Sequence, residues 1–154
     1  MTAPCFKLVA VGGTFDRLHV GHKYLLNTTF KVGENVIIGV TSDEMASSKG
    51  DVEKYDVRVK KLTEYLESKG YNGRYEIFKL DDPYGPALRS EELEAIVVST
   101  ETYVSALRLN ELRYRAGLKR LIIVVCPLIY AVDGKPISST RIRMGVIDDL
   151  GRKI

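Results

Sequence analysis

The sequence predicts an α/β protein in which a mostly parallel sheet carries helices on both faces, and three features lead to that reading. Five short strand-like runs lie at residues 6–11, 35–40, 74–80, 95–99 and 121–125, and stretches with helical spacing of apolar residues separate them. Several runs, such as Val36-Ile37-Ile38-Gly39-Val40, stay apolar at nearly every position, as strands covered on both faces do. Strands alternating with helices build a parallel sheet through right-handed crossovers. With no repeat, low-complexity tract or linker, residues 1–154 are expected to form a single Rossmann-like domain with a five-stranded sheet.

Taken in order, Phe6 to Val11 is an apolar strand that stops at Gly12-Gly13, residues with the backbone freedom a strand end needs. Helical spacing runs from 20 to 31, with Val32-Gly33 as its stop. After the strand at 35–40, a helix over 56–69 sets Val59, Leu62 and Leu66 on one face and ends at Gly70. Arg74 to Leu80 alternates as a strand. Asp81-Asp82-Pro83-Tyr84-Gly85-Pro86 holds two prolines and a glycine, which excludes regular structure and makes it a loop. Ala95 to Ser99 is a short buried strand, Glu101 to Ala116 a helix closed by Gly117, and Leu121 to Val125 a β-branched last strand. Asp133-Gly134-Lys135-Pro136 turns the chain, and a short helix starts at Ser138.

A chain of 154 residues buries roughly two-thirds of its unfolded surface in one core. Its 45% hydrophobic and 28% charged content is that of a chain that folds unaided. The 23 basic and 20 acidic residues, a net charge of +3, are interspersed, so no nucleic-acid partner is expected. The longest apolar stretch, Leu121 to Val132, is broken by Pro127 and too short for a bilayer, and no signal-peptide core is present; neither secretion nor a membrane partner is expected. Cys5 and Cys126 form no CxxC pair, which points to a reducing cytoplasm. The lack of Gln and Trp beside abundant Lys, Glu and Ile suits a heat-adapted source. Composition leaves the oligomeric state open, with a monomer favoured.

The stretch that carries chemistry is Gly12-Gly13-Thr14-Phe15-Asp16-Arg17-Leu18-His19-Val20-Gly21-His22, at the turn from the first strand into the first helix. In open α/β sheets that edge is where ligands bind. Glycines let a phosphate approach the backbone, and the free amides of a helix start present donors with partial positive charge. His19 and His22, three residues apart in the first turn, share one face and can both donate to a phosphoryl oxygen, the dipole keeping them neutral. The spacing is neither GxGxxG nor GxxxxGK[ST]. Zinc binding by His19 and His22 with Asp16 is a rival reading, although no cysteine or third histidine stands nearby.

A second group, Ile137-Ser138-Ser139-Thr140-Arg141-Ile142-Arg143, places three hydroxyls at a helix start with two guanidiniums behind them. One hydroxyl caps the helix, and the rest, with the Arg forks, suit the β and γ phosphates of a nucleotide; the alternative is a plain cap followed by a solvated basic turn.

The GTFDxLHxGH stretch resembles the signature of the nucleotidyltransferase superfamily, which includes cytidylyltransferases and adenylyltransferases. The whole chain is similar to the archaeal-type pantetheine-phosphate adenylyltransferases, with residues 9–26 and 137–143 carrying most of the match. That resemblance implies transfer of AMP from ATP to 4'-phosphopantetheine, giving dephospho-CoA and pyrophosphate by direct in-line displacement, with dephospho-CoA or CoA as further ligands. It implies that His22, His19 and Lys49 are the catalytic groups, and that Gly12, Gly13, Thr14, Phe15, His22, Ser138, Ser139, Thr140 and Arg141 hold the nucleotide. Thr14, Lys49, Asp82 and Tyr84 would hold the acceptor, an ordinary solvated lysine and an ordinary turn being the competing readings of Lys49 and 81–86. Cytidylyltransferases precede the second motif with Arg-Thr-Glu-Gly; Asp133-Gly134-Lys135-Pro136 stands here instead, which favours ATP over CTP. Mg2+ would enter through the ATP phosphates, with no protein metal site. Glu101, Asn110 and Arg113 are further candidates for contact with adenosine. The rivals are a sister cytidylyltransferase or FAD-forming adenylyltransferase, and a regulator that binds nucleotide without chemistry.

Overall fold

The computed structural model describes residues 3–154; residues 1 and 2 of the expected 1–154 domain lie outside the described part. Strands β1 (Phe6–Gly13), β2 (Gly33–Thr41), β3 (Tyr75–Leu80), β4 (Ala95–Ser99) and β5 (Ile122–Cys126) form one sheet in the order β3-β2-β1-β4-β5. Every neighbouring pair is parallel, so the mostly parallel sheet of the sequence reading is wholly parallel among the described residues. The helices are α1 (Val20–Val32), α2 (Asp43–Ala46), α3 (Tyr55–Ser68), α4 (Tyr103–Arg115) and α5 (Ser139–Arg143).

Side-chain alternation along β1 sorts the core into two layers. Val9 and Val11 join Leu26 and Phe30 of α1 and Leu62 and Leu66 of α3, whereas Leu8 and Ala10 join Leu109 of α4 with Leu93 and Leu121. Each fully buried aliphatic side chain contributes about 1.5–3 kcal/mol. A third small cluster, Ala131, Ile137 and Ile147 with Val20 and Ile142, fastens the chain after β5 to the start of α1. Chain order runs outward from β1 in both directions, through β2 to β3 and through β4 to β5. The sheet therefore has a switch point between β1 and β4, and a crevice opens beyond their carboxyl ends. No helix among the described residues is long and apolar enough to cross a membrane, and Cys5 and Cys126 are both free thiols.

Five assignments differ from the sequence reading. Gly33 does not stop α1 in a left-handed turn but opens β2 in extended conformation (φ −116°, ψ 135°). Space explains that glycine, since a Cβ there would lie 2.3 Å from Val9 Cγ2. Gly12 and Gly13 belong to β1 itself. The Ser47-Ser48-Lys49-Gly50 stretch, whose composition suits a loop after the second strand, instead follows α2 as a 3-10 turn over Ser47–Lys49, with α2 started by Ser42 Oγ accepting from the Met45 amide at 3.2 Å. Gly85–Leu88, expected as irregular, is also a 3-10 turn, because Pro86 sits at its start, where no amide hydrogen is required. Glu101 precedes α4, which begins at Tyr103.

Candidate active site

Between β1 and α1 the chain turns through two non-glycine residues with left-handed backbone, Phe15 (φ 53°) and Arg17 (φ 46°). Such conformations cost about 1–3 kcal/mol each and persist only where the surroundings enforce them. Here Phe15 is buried with its ring 5.4 Å from that of His22, and the Arg17 amide donates to Glu53 Oε1 at 2.7 Å. Asp16, 1% exposed, ties the turn to distant parts of the chain. It accepts from the Glu53 amide (2.8 Å), from Arg17 Nη1 (2.8 Å) and from Arg143 of α5. Burial opposes its ionisation, but these three donors prevail and hold the carboxyl below its ordinary range.

His19 is the N-cap of α1. Its Nδ1 accepts from the Gly21 amide (3.1 Å) and the His22 amide (3.3 Å), while the His19 amide donates to His22 Nδ1 at 3.2 Å. The Val20 amide donates to the Asp149 carbonyl at 2.9 Å, and the Lys23 amide to the His19 carbonyl. The expectation of free helix-start amides is thereby corrected, since all four are already occupied. What replaces them follows from the same bonds. With both Nδ1 atoms acting as acceptors, each neutral ring must carry its hydrogen on Nε2. The rings stack at 3.7 Å and both line the cleft. Burial pushes His19 down to about 4 against the raising influence of Asp149 and Asp16; burial, then the neighbouring His19 and Lys49, set His22 well below its usual value. At neutral pH the pair is two uncharged donors.

Lys49 Nζ donates to Thr14 Oγ1 at 2.8 Å, and Thr41 Oγ1 donates to the same oxygen at 3.1 Å. Beneath them lies Arg58, fully buried, whose Nη1 donates to the carbonyls of Thr14 and Thr41, both at 2.8 Å. Its Nη2 reaches Asp43 at 3.2 Å and its Nε the Glu53 carbonyl at 2.8 Å. From the other side, Ser138 caps α5 by accepting from the Arg141 amide, and Ser139 Oγ donates to the Asp16 carbonyl. Arg143 bridges Asp16, the Lys49 carbonyl and Thr140 Oγ1.

Two adjoining clefts open on these groups. One, of about 260 Å3, is lined by Gly12, Gly13, Thr14, Phe15, His19, His22, Lys49, Ser138, Ser139, Thr140 and Arg143, with Glu101 and the Pro127–Ile129 segment on its far wall. The other, of about 300 Å3, is mainly apolar, walled by Ile37, Phe78, Leu80, Tyr84, Ile96 and Leu109 among others. Gly12, Gly13, Thr14, Lys49 and Thr102 line both.

Several expected site residues are placed elsewhere. Arg141 turns back to the 133–136 turn, pairing with Asp133 and donating to the Pro136 carbonyl at 3.0 Å, and does not line either cleft. Asp82 accepts from the amides of Tyr84 (2.9 Å) and Gly85 (2.8 Å), bracing the loop on which Tyr84 meets the apolar cleft. Asn110 exchanges two hydrogen bonds with the Leu121 backbone, Arg113 is buried and donates to the carbonyls of Ala87, Ser90 and Lys119, and neither lines either cleft. Among the described residues no group of three or more His, Cys, Asp and Glu is placed to hold a metal. Arg58 and Thr41 were missed. For Arg58 a signal existed, since it stands four and eight residues before Leu62 and Leu66 on the buried stripe of α3.

Uncharged Nε2 donors, a lysine, three hydroxyls and an arginine converging on one crevice suit the displacement of a phosphate on a nucleotide, which defines the class as nucleotidyltransferase. The family described as Cytidylyltransferase-like matches residues 10–145, and the chain belongs to it, within the group of the archaeal phosphopantetheine adenylyltransferases. It is 51% identical over 150 residues to the phosphopantetheine adenylyltransferase of Methanothermobacter thermautotrophicus, covering 97% of this chain and 90% of the relative. To that of Pyrococcus abyssi it is 49% identical over 152 residues, covering 97% and 96%. A solved structure of a protein of unknown function from Archaeoglobus fulgidus superposes with a TM-score of 0.71 at 40% identity, over 77% of this chain and 87% of that one.

Proposed function

We propose that the protein transfers the adenylyl group of ATP to the phosphate of 4'-phosphopantetheine, giving dephospho-coenzyme A and pyrophosphate. The observation that carries this reading is the rim of Gly12, Gly13, Thr14, Lys49 and Thr102 shared by a polar and an apolar cleft. A triphosphate fits the polar cleft, along the histidines and the start of α5. A long, weakly polar arm fits the apolar one, and its phosphate meets Lys49 and Thr14 at the rim. Relatives about half identical over nearly the whole chain carry the same activity in their names.

The chemistry is in-line displacement. An oxygen of the acceptor phosphate forms the new bond to the α phosphorus, and the bond from that phosphorus to the bridging oxygen breaks, pyrophosphate leaving with the electron pair. The attacking oxygen is already ionised, so no base is needed, and catalysis comes from alignment and from stabilising the charge that builds up. His22 and His19 donate through Nε2 to the α-phosphate oxygens, and Ser138, Ser139, Thr140 and Arg143 hold the departing pyrophosphate. A Mg2+ ion would enter with ATP as part of the substrate and would offset part of the triphosphate charge, with Lys49 and Arg143 supplying the protein's own positive charge there. The test is pyrophosphate release with Mg-ATP and 4'-phosphopantetheine, glycerol 3-phosphate or FMN, repeated with CTP. Turnover with ATP and 4'-phosphopantetheine alone, yielding dephospho-coenzyme A by mass, is the expected result; turnover only with another pair would replace the substrate.

A further inference from the structure

We propose that Thr41 and Arg58 are positioning residues that hold the Thr14 hydroxyl as a hydrogen-bond donor aimed at the phosphate bound where the two clefts meet. The inference rests on the reading that a phosphate-bearing acceptor binds at Lys49 and Thr14, and it assigns work to Arg58, which lines neither cleft, and to Thr41, which stands at the wall of the apolar cleft and acts on the phosphate through Thr14.

The argument is one of direction. Arginine and lysine side chains can only donate hydrogen bonds, whereas a threonine hydroxyl has one hydrogen and accepts on the same oxygen. Arg58 Nη1 lies 3.4 Å from Thr41 Oγ1, so any hydrogen there runs from the guanidinium to the hydroxyl. Thr41 then spends its own hydrogen on Thr14 Oγ1 at 3.1 Å, and Lys49 Nζ supplies a second at 2.8 Å. With two hydrogens received on its oxygen, Thr14 has its own left over. Among the described residues nothing accepts it, and the side chain, 8% exposed, lines both clefts. The chain of bonds therefore ends in a donor facing the crevice, where only an anion or water can take it. Arg58 also fixes the distance between the ends of β1 and β2, because one nitrogen bonds the carbonyls of Thr14 and Thr41 at equal length, 2.8 Å. Both hydrogens of that nitrogen serve the backbone clamp and the longer approach to Thr41 Oγ1 shares one of them, so the clamp sets where Thr41 stands while Thr41 and Lys49 together orient the Thr14 donor.

Thr41→Val removes the relay hydroxyl with little change of shape. Binding of 4'-phosphopantetheine is measured by calorimetry, independently of turnover, beside KM for ATP and the melting temperature. Thr41→Val is expected to weaken acceptor binding about tenfold, the scale of one oriented hydrogen bond to a charged group, with KM for ATP changed less than about twofold. Thr41→Ser is expected to restore binding. If Thr41 acts through Thr14, the double variant Thr14→Val/Thr41→Val binds no more weakly than Thr14→Val alone. Arg58→Lys is expected to weaken acceptor binding as well, with a lower melting temperature. Unchanged binding in Thr41→Val, or additive losses in the double variant, would overturn the relay and leave the functional reading standing. A wild-type protein that binds no 4'-phosphopantetheine would overturn both.

Discussion

Replacing His22 by alanine removes two things that the structure separates. The first is a donor, Nε2–H, held in place because Nδ1 accepts from the His19 amide at 3.2 Å and the ring stacks on His19 at 3.7 Å. Loss of one preorganised donor at a developing charge costs about 2.7–4 kcal/mol of transition-state stabilisation, a fall in kcat of ~10²–10³-fold. The second is the structural bond to the His19 amide, worth about 1 kcal/mol. In a chain of this size that is a drop of about 2–4 °C in Tm. Initial rates of pyrophosphate release at saturating ATP and acceptor give kcat directly, and calorimetric melting reports the structural loss. The expected pattern is a large fall in kcat, KM values changed by a few-fold, and a Tm only slightly lower. An unchanged kcat would refute the role assigned to the Nε2 donor. A raised KM at full kcat would instead mean that His22 binds ATP equally in ground and transition states.

The depressed histidines also predict a stability profile. His19 falls from 6.5 unfolded to about 4 folded, so the unfolded chain binds more protons between those values. Stability therefore rises with pH from about 4 to about 6.5 and levels off above, with His19 contributing up to ~3 kcal/mol across that window. Urea unfolding at a series of pH values should show this rise, and a His19→Asn variant, which keeps a capping side chain, should show a shallower one; equal slopes would sink the account. Asp16→Asn leaves Arg17 and Arg143 facing a neutral partner. A buried pair broken on one side costs about 3–5 kcal/mol, and the partly open arginines place the expected loss near the lower end, with KM for ATP raised because Arg143 loses its anchor. Gly33→Ala pushes a methyl into Val9, and a loss of about 1–3 kcal/mol in unfolding free energy with little change in kcat is expected.

The alternation of strands and helices was legible because it is written in runs of Val and Ile between helical patterns, and those runs became β1, β2, β4 and β5 within two residues of the expected limits. The histidine pair and the Ser-Ser-Thr segment were legible because the polar residues that gather at sheet ends stand out against such runs. Their hydrogen bonding was not. A histidine as N-cap that consumes the helix amides depends on ring geometry, which spacing does not encode. The two arginines behind the second motif could have been separated, since residues two apart on a helix point to nearly opposite sides, and only Arg143 reaches the cleft. Arg58 and Arg113 were obscured for a different reason. A charged side chain is assigned to solvent by default, yet both are fully buried here, where their guanidiniums donate to strand-end and loop carbonyls.

Asp16 is bonded by Ser139 and Arg143, and the first amide of α1 by the Asp149 carbonyl, across separations of more than a hundred residues. This spacing has a temporal meaning. In chain order β1, β2 and α3, which bury most of the first core layer, all precede residues 139–149 by seventy residues or more. Until those residues are in place, the helix that carries both histidines starts with an unsatisfied amide, and Asp16 lacks one of its arginines. The crevice is closed by the contacts of greatest sequence separation, the kind that form late in folding because the loop they close is long.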